Sequence, residues 1–393
     1  MSSPESEDEA VSDHLGDESK EEKPPRQPHH VRNSLSLDDV IAFVDGYIVS
    51  ILFYVIVPIL AFPRSDEYRP YISYFATCTV LVYLIRLWNY PDRIPASQYF
   101  RLHAAPELNW EEQIVLITGG GSGIGALLAE TLASRNVPVV VLTKDEPNSE
   151  VDGEIHPYIC DVSDYQQVES IADRVREEVG DPTIIVNNAG VVKGKLLLDL
   201  TEEDVIDTFG ANTLAHFWVL KAFLPAMIKK GSGHIVTVSS LLGVVGAAQM
   251  TDYCASKAAL VNLNQSLRFE LDNRYKTPAI LTTLVLPSFV QTRLFSEIRL
   301  PTSRIWRFLC PPLQPHTIVK HIISALQMGE STTIRLPWYT QAARLMGDGV
   351  GLVPAWLRDF LQSIAGADHA MRAYGPKPDA AERLAMERLH DNT

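Results

Sequence analysis

The chain has few cysteines and no pairs of them. Cys78, Cys160, Cys254 and Cys310 lie far apart, with no C-x-x-C spacing. That pattern excludes a zinc site or a disulfide framework as the basis of the fold and favours a reducing compartment. Basic charge is also in deficit, with 34 Lys and Arg against 48 Asp and Glu, for a net charge of −14. Nucleic-acid binding needs a basic face to meet phosphates, so a nucleic-acid partner is excluded. The start of the chain is acidic rather than basic and apolar, and does not read as a cleavable signal peptide. Large apolar residues are scarce across residues 1–36, where Glu, Asp, Ser and Pro dominate. Such a composition cannot bury enough surface to order itself, so a disordered acidic tail is expected there.

Beyond residue 36 the composition changes in kind. With 393 residues, of which 46% are hydrophobic, the chain can build one large domain with extensions. Residues 40–62 are almost unbroken Ile, Val, Leu, Phe and Tyr, marked by Asp45, Gly46, Ser50 and Pro58, and a second run, 71–88, is free of charge until Arg86. Each is near the roughly 20 residues that cross a hydrocarbon core. Tyr68, Tyr71, Tyr74, Trp88 and Tyr90 gather at the ends, as interfacial aromatics do. Residues 37–90 therefore read as a membrane-anchoring helical hairpin, spanning the bilayer or confined to one leaflet. The alternative is a pair of buried core helices. Lys23, Arg26 and Arg32 precede the hairpin and Arg86, Arg93 and Arg101 follow it, while Arg64 and Arg69 in the link are balanced by Asp66 and Glu67. The excess of positive charge outside the link puts both termini on the cytosolic side.

From residue 111 the pattern alternates. Ile114–Ile117 is a short apolar run, the mark of a strand buried on both faces, and it ends at Thr118. Gly119-Gly120-Gly121-Ser122-Gly123-Ile124-Gly125 comes next, and 126–133 reads as a helix. A glycine loop between strand and helix suits a dinucleotide. Gly119 is expected to make the tight turn, Gly123 to let backbone approach a pyrophosphate, and Gly125 to let helix pack on strand. Further strands are expected at 139–142, 156–160, 184–186, 235–238, 280–286 and 332–336. Helices are expected from Ser163, as N-cap, to about 179, over 201–230, and over 253–274. The fold class is α/β, a Rossmann-type doubly wound parallel sheet over 91–337. A C-terminal helical extension, 338–393, would carry a second apolar patch at 352–364.

Downstream of the loop stand Ser240, Tyr253 and Lys257. Moving a hydride between an alcohol carbon and a nicotinamide requires a proton to leave or reach the same oxygen. Free tyrosine, with a pKa of about 10, is a poor base at neutral pH. On a helix Tyr253 and Lys257 are i and i+4 neighbours. The ammonium, with an oxidised nicotinamide, is expected to favour the phenolate and lower the phenol's pKa, making Tyr253 the general acid or base.

These residues, in this order, resemble the short-chain dehydrogenase/reductase superfamily over roughly residues 111–337. The resemblance implies that Gly119, Ser122, Gly123, Ile124 and Gly125 cradle the cofactor, and that Asp161 and Val162 meet its adenine. Asn187-Asn188-Ala189-Gly190 would support the sheet beside it. Asn212 would hold a water-linked proton relay to Lys257, which also bonds the nicotinamide ribose. Ser240, thirteen positions before Tyr253, would hold the substrate oxygen, leaving Ser239 as a strand-end residue. Pro287 and Thr292 match an element whose threonine touches the carboxamide, although Ser288 stands where that element has glycine. At the end of the second strand Thr143 is neutral and Lys144 basic, which resembles the NADP-preferring members; Asp145 and Glu146 keep NAD open as an alternative.

Anchor, domain and extension together resemble the membrane-anchored retinol and hydroxysteroid dehydrogenases. That implies a retinoid, steroid or long-chain lipid alcohol as lipophilic substrate, and a catalytic domain on the cytosolic face of endoplasmic reticulum or lipid droplet. A homodimer through the helices at 201–230 and 253–274 is expected from the same resemblance. A substrate loop would run over 289–315, with Arg293, Arg299, Arg304 and Arg307 among its apolar residues. Those arginines keep open a reductase of a 3-ketosphingoid base or acyl-dihydroxyacetone phosphate. A non-catalytic lipid-droplet protein would have lost one of Ser240, Tyr253 and Lys257, and none is lost. The sequence offers no metal site.

Overall fold

The computed structural model describes residues 108–144, 154–295 and 310–342. The acidic segment 1–36, the apolar runs 40–62 and 71–88, and the patch 352–364 lie outside the described residues, as do 296–309 of the expected substrate loop. Among the described residues no helix is long and apolar enough to cross a membrane.

Within the described residues the elements run β1 (Val115–Thr118), α1 (Gly123–Ala133), β2 (Val139–Thr143), β3 (Ile155–Ile159), α2 (Tyr165–Glu178), β4 (Ile184–Asn187), α3 (Glu202–Phe209), α4 (Ala215–Lys230), β5 (Gly233–Val238), α5 (Thr251–Asn273), β6 (Ile280–Pro287), α6 (Pro315–Met328) and β7 (Thr332–Leu336). The strands form one sheet of order β3-β2-β1-β4-β5-β6-β7, parallel at every pairing. The winding reverses between β1 and β4, which opens a crevice beyond their carboxyl ends.

The strands are apolar on both faces because helices cover both. Val115, Ile117, Val139, Val141, Val186, Val236 and Val285 face α1 and α6. Their alternates Leu116, Val140, Leu142, Ile185 and Ile235 face α2 and α4. Each such side chain stabilises the fold by about 1.5–3 kcal/mol relative to exposure. In α2, Val168, Ile171, Ala172 and Val175 are buried, the i, i+3, i+4, i+7 stripe that a helix lying on a sheet requires.

One expectation is corrected. Ser163 is not the N-cap of α2. Asp164 is, its carboxylate accepting from the N–H groups of Gln166 and Gln167, while Ser163 donates to Asp161 at 2.6 Å. The stretch 201–230 is helical throughout, as expected, but its middle turn is wound more widely than an α-helix. Thr201 and Asp204 form a capping box on α3, and a wide π-turn, Gly210–Leu214, separates α3 from α4. The strand at 332–336 falls where it was expected.

Candidate active site

The glycine loop lies at the reversal of the sheet. Gly119 adopts φ +65°, and a side chain there would meet Ala189 Cα at 2.8 Å. Conformation and space both demand glycine. A Cβ at Gly125, in the first turn of α1, would stand 2.5 Å from the Gly119 carbonyl oxygen and 2.6 Å from the Asn188 amide nitrogen. Loop and helix can close on each other only without a side chain.

Asn188 clamps this loop. Its Nδ2 donates to the carbonyls of Thr118 at 3.1 Å and Gly119 at 3.2 Å. The Thr118 hydroxyl oxygen accepts from the N–H groups of Asn188 and Ala189, at 2.9 and 3.0 Å. Thr118, the strand-end residue that opens the glycine motif, is thus the post on which β1 and the segment after β4 meet. Ser122 makes no side-chain bond to the first turn of α1. The helix therefore presents its N–H groups and positive dipole end to the crevice, which fits a pyrophosphate. Ile124 packs against the core beneath α1, and Thr292 Cγ2 would lie 3.6 Å from a Cβ at Gly123. Ser288, whose departure from glycine put this segment's path in question, bonds the Tyr339 hydroxyl at 2.6 Å.

At the ends of β2 and β3 stand Lys144 and Asp161, paired at 2.8 Å. Burial alone would raise the Asp161 carboxyl. The Lys144 ammonium and the two Ser163 bonds outweigh it and hold the group below its ordinary value. Lys144 is therefore an ion-pair partner and not a free loop charge. The Val162 side chain belongs to the core under α2, which leaves its main chain to face a ligand.

The corner that holds Ser240, Tyr253 and Lys257 draws on β5, α5 and the π-turn. Ser240 follows β5 and is a hydrogen-bond partner of the Tyr253 phenol; its Oγ also accepts from the Leu242 N–H at 3.1 Å. Ser239, by contrast, bonds the Lys257 carbonyl at 2.8 Å, a structural tie. Lys257 Nζ lies 5.8 Å from the centre of the Tyr253 ring and donates to the Val238 carbonyl at 3.1 Å. Asn212, in the π-turn, accepts from the Val191 N–H at 2.7 Å and donates to the Val191 carbonyl and Ser256 Oγ, each at 3.0 Å. A Cβ at Gly190 would stand 3.1 Å from Asn212 Oδ1 and 3.4 Å from Lys257 Nζ, so this glycine lies against both. Ser256 was missed from sequence, although its position three after Tyr253 puts it on the same helix face.

Burial decides the protonation of this corner. It raises the Tyr253 phenol above its ordinary value, and the Ser240 bond offsets only part of that. Among the protein's own groups it is Ser240, and not Lys257, that favours the phenolate, and loss of water outweighs it. The same burial lowers Lys257 to about 8. Around the phenol the walls are apolar: Val192 and Met250 are buried with it, and Leu242, Ala247, Leu294 and Phe295 pack on them. Phe295 meets the Tyr253 ring edge-on at 6.1 Å.

A doubly wound parallel sheet with a glycine crevice and a Ser–Tyr–Lys corner defines the class of dinucleotide-binding oxidoreductases. The family model for short chain dehydrogenase matches residues 113–302. The bovine (Bos taurus) protein named short-chain dehydrogenase/reductase family 16C member 6 is 36% identical over 256 residues, 63% of this chain and 79% of that protein. Epidermal retinol dehydrogenase 2 of Mus musculus is 38% identical over 238 residues, 58% of this chain and 75% of that protein. Among solved structures, a short-chain dehydrogenase/reductase from Burkholderia phymatum in complex with NAD is 26% identical with a TM-score of 0.53, covering 61% of this chain and 94% of that one. The chain belongs to the short-chain dehydrogenase/reductase family and is an oxidoreductase acting on the alcohol/carbonyl couple.

Proposed function

We propose that the protein is a membrane-associated, NADP(H)-dependent oxidoreductase that interconverts a lipophilic alcohol and its carbonyl, of retinoid, steroid or long-chain lipid type. The observation that carries the reading is the convergence of Ser240, Tyr253 and Lys257 beside the glycine crevice, inside an apolar wall. An apolar wall has no groups to desolvate when a hydrocarbon substrate enters, which favours such a substrate over a polar one. The likeness to a relative named as a retinol dehydrogenase points the same way.

The nicotinamide, when bound, supplies or accepts the hydride. Gly119, Ser122, Gly123, Ile124 and Gly125 would hold the dinucleotide, with Asn188, Ala189 and Gly190 beneath it, Asp161 and Val162 toward the adenine and Thr292 toward the carboxamide. Tyr253, kept protonated by its burial, gives its proton to the carbonyl oxygen as that oxygen gains charge. Ser240 donates a hydrogen bond to the same oxygen and fixes its position. Lys257, a cation below about pH 8, steadies the phenolate that forms and would bond the ribose of a bound cofactor. Asn212 holds the segment through which Lys257 regains a proton. In the opposite direction the same groups act in reverse. Lys144 supports NADP, since its ammonium can leave or share Asp161 to meet a 2′-phosphate.

The hairpin at 37–90 would hold this domain on the cytosolic face of endoplasmic reticulum or lipid droplet. Phe217 on α4 and Phe269 on α5, 45% and 59% exposed, support a homodimer through these helices. The test is nicotinamide absorbance with detergent-solubilised protein, comparing NADPH and NADH against retinal, a ketosteroid and a ketosphingoid base. NADPH turnover that Tyr253→Phe abolishes supports the reading, and failure to bind either cofactor sinks it.

A further inference from the structure

Behind the catalytic corner lies a second set of polar groups that the chemistry above does not use. Asn187, Thr237 and His216 are 1%, 0% and 1% exposed. Both amide atoms of Asn187, the hydroxyl of Thr237 and both ring nitrogens of His216 are buried without a hydrogen-bond partner among the described residues.

Topology brings the three together. Asn187 and Thr237 are register partners on the parallel strands β4 and β5, so their side chains leave the sheet side by side on one face. Two residues earlier on the same strands, Ile185 and Ile235 share a core with Ala215 and Val219 of α4, so this is the face that α4 covers. The helix runs antiparallel to the strands, and its first turn, which carries His216, lies level with the strand ends. Lys257 reaches the same level from α5, where its Nζ bonds the carbonyl of Val238, the residue after Thr237. Its charge bears on His216, which burial and then that charge hold neutral, well below the ordinary histidine value.

An unsatisfied buried polar atom costs about 1–3 kcal/mol. Five of them, on paired strand ends and the helix that covers that face, are a burden that native cores relieve with internal water, which needs about two to four polar partners. We infer that Asn187, Thr237 and His216 bind internal water on the side of Lys257 away from the cleft, and that His216 is a positioning residue for the Lys257 ammonium. Water there accepts a hydrogen bond from Lys257 Nζ and donates one to the unprotonated nitrogen of His216. The other ring nitrogen donates to Asn187 Oδ1 or to a second water shared with the Thr237 hydroxyl. Neutral histidine has the one acceptor and one donor that such a chain needs.

The inference rests on the reading of Lys257 as the support of Tyr253. It is tested on the full-length protein with NADPH and whichever of retinal, the ketosteroid or the ketosphingoid base turns over. His216→Leu keeps the volume and removes both nitrogens. It is expected to lower kcat about tenfold, the scale of a lost outer partner, with the NADPH dissociation constant and melting temperature little changed and the solvent isotope effect on kcat increased. His216→Gln, which restores a donor and an acceptor, is expected to recover kcat to within about threefold. Thr237→Val should show a smaller loss of the same kind. An unchanged kcat in His216→Leu overturns the inference, and so do losses in all three variants that simply follow the melting temperature. Turnover that survives Tyr253→Phe sinks the reading of the site and this inference with it. Loss in Tyr253→Phe with none in His216→Leu sinks the inference alone.

Discussion

At the glycine loop the protein works with main chain and with missing side chains. Gly119 and Gly125 leave room for the backbone of one segment to touch another, and Asn188 holds that backbone by its carbonyls. At the Ser–Tyr–Lys corner the groups brought together are side chains from separate elements: Ser240 after β5, Tyr253 and Lys257 on α5, and Asn212 in the π-turn. The first region is rigid because nothing else fits. The second is poised because burial has moved two titratable groups away from their ordinary values, Tyr253 up and Lys257 down. A cradle built from backbone depends on steric closeness, whereas a corner built from side chains depends on the medium around it.

The contrast can be broken first at the corner. Tyr253→Phe should lower turnover by about 10²–10⁴-fold, the range of a lost general acid or base, while cofactor binding measured by nicotinamide fluorescence stays near wild type. Equal losses in both would mean that the phenol holds the cofactor and does not handle the proton.

Lys257 offers the next largest effect, read as stability. Its folded pKa of about 8 lies below the ordinary 10.5. Its cost to the fold is therefore absent above 10.5, grows as the pH falls toward 8, and is constant below that. Lys257→Met should raise the melting temperature at pH 7, and the gain should hold to about pH 8 and then shrink as melts are repeated up to pH 10. A gain independent of pH would assign the effect to packing instead.

Gly125→Ala breaks the other region. The new methyl would press on the Gly119 carbonyl and the Asn188 amide, at a cost of about 1–3 kcal/mol in chemical denaturation. Cofactor affinity should fall with stability here, unlike in Tyr253→Phe.

The smallest effect belongs to Lys144→Glu. With its partner Asp161 it forms a half-exposed pair, worth about 0–1 kcal/mol to the fold, so melting should barely move. The NADPH/NADH preference should drop about tenfold, or about 1.4 kcal/mol. A preference that does not move would remove Lys144 from cofactor selection.

Much of the sheet could be read from the chain, because strands covered on both faces must be apolar throughout and short runs of Val, Ile and Leu mark them plainly. The glycine loop was legible for a similar reason: its constraint is local, set by the turn from β1 into α1. What could not be read depends on contacts distant in sequence. The π-turn at 210–214 has no signal of its own, since residues on both sides have helical periodicity. Asp164 displaced Ser163 as N-cap because Asp161, at the end of β3, takes the Ser163 hydroxyl. The upward shift of Tyr253 follows from how completely Val192, Met250 and Phe295 exclude water, which spacing alone does not reveal.

By itself the sequence determined that a dinucleotide crevice would form and which serine, tyrosine and lysine would stand in helical and strand register beside it, because backbone conformation and i, i+4 spacing are properties of neighbouring residues. Only the tertiary structure decided how far burial moves Tyr253 and Lys257 from their ordinary values, the pairing of Lys144 with Asp161, and the burial of Asn187, Thr237 and His216 without hydrogen-bond partners among the described residues. Solvation and long-range pairing are set by what the folded chain packs around a group, and the elements that do so come from far along the chain.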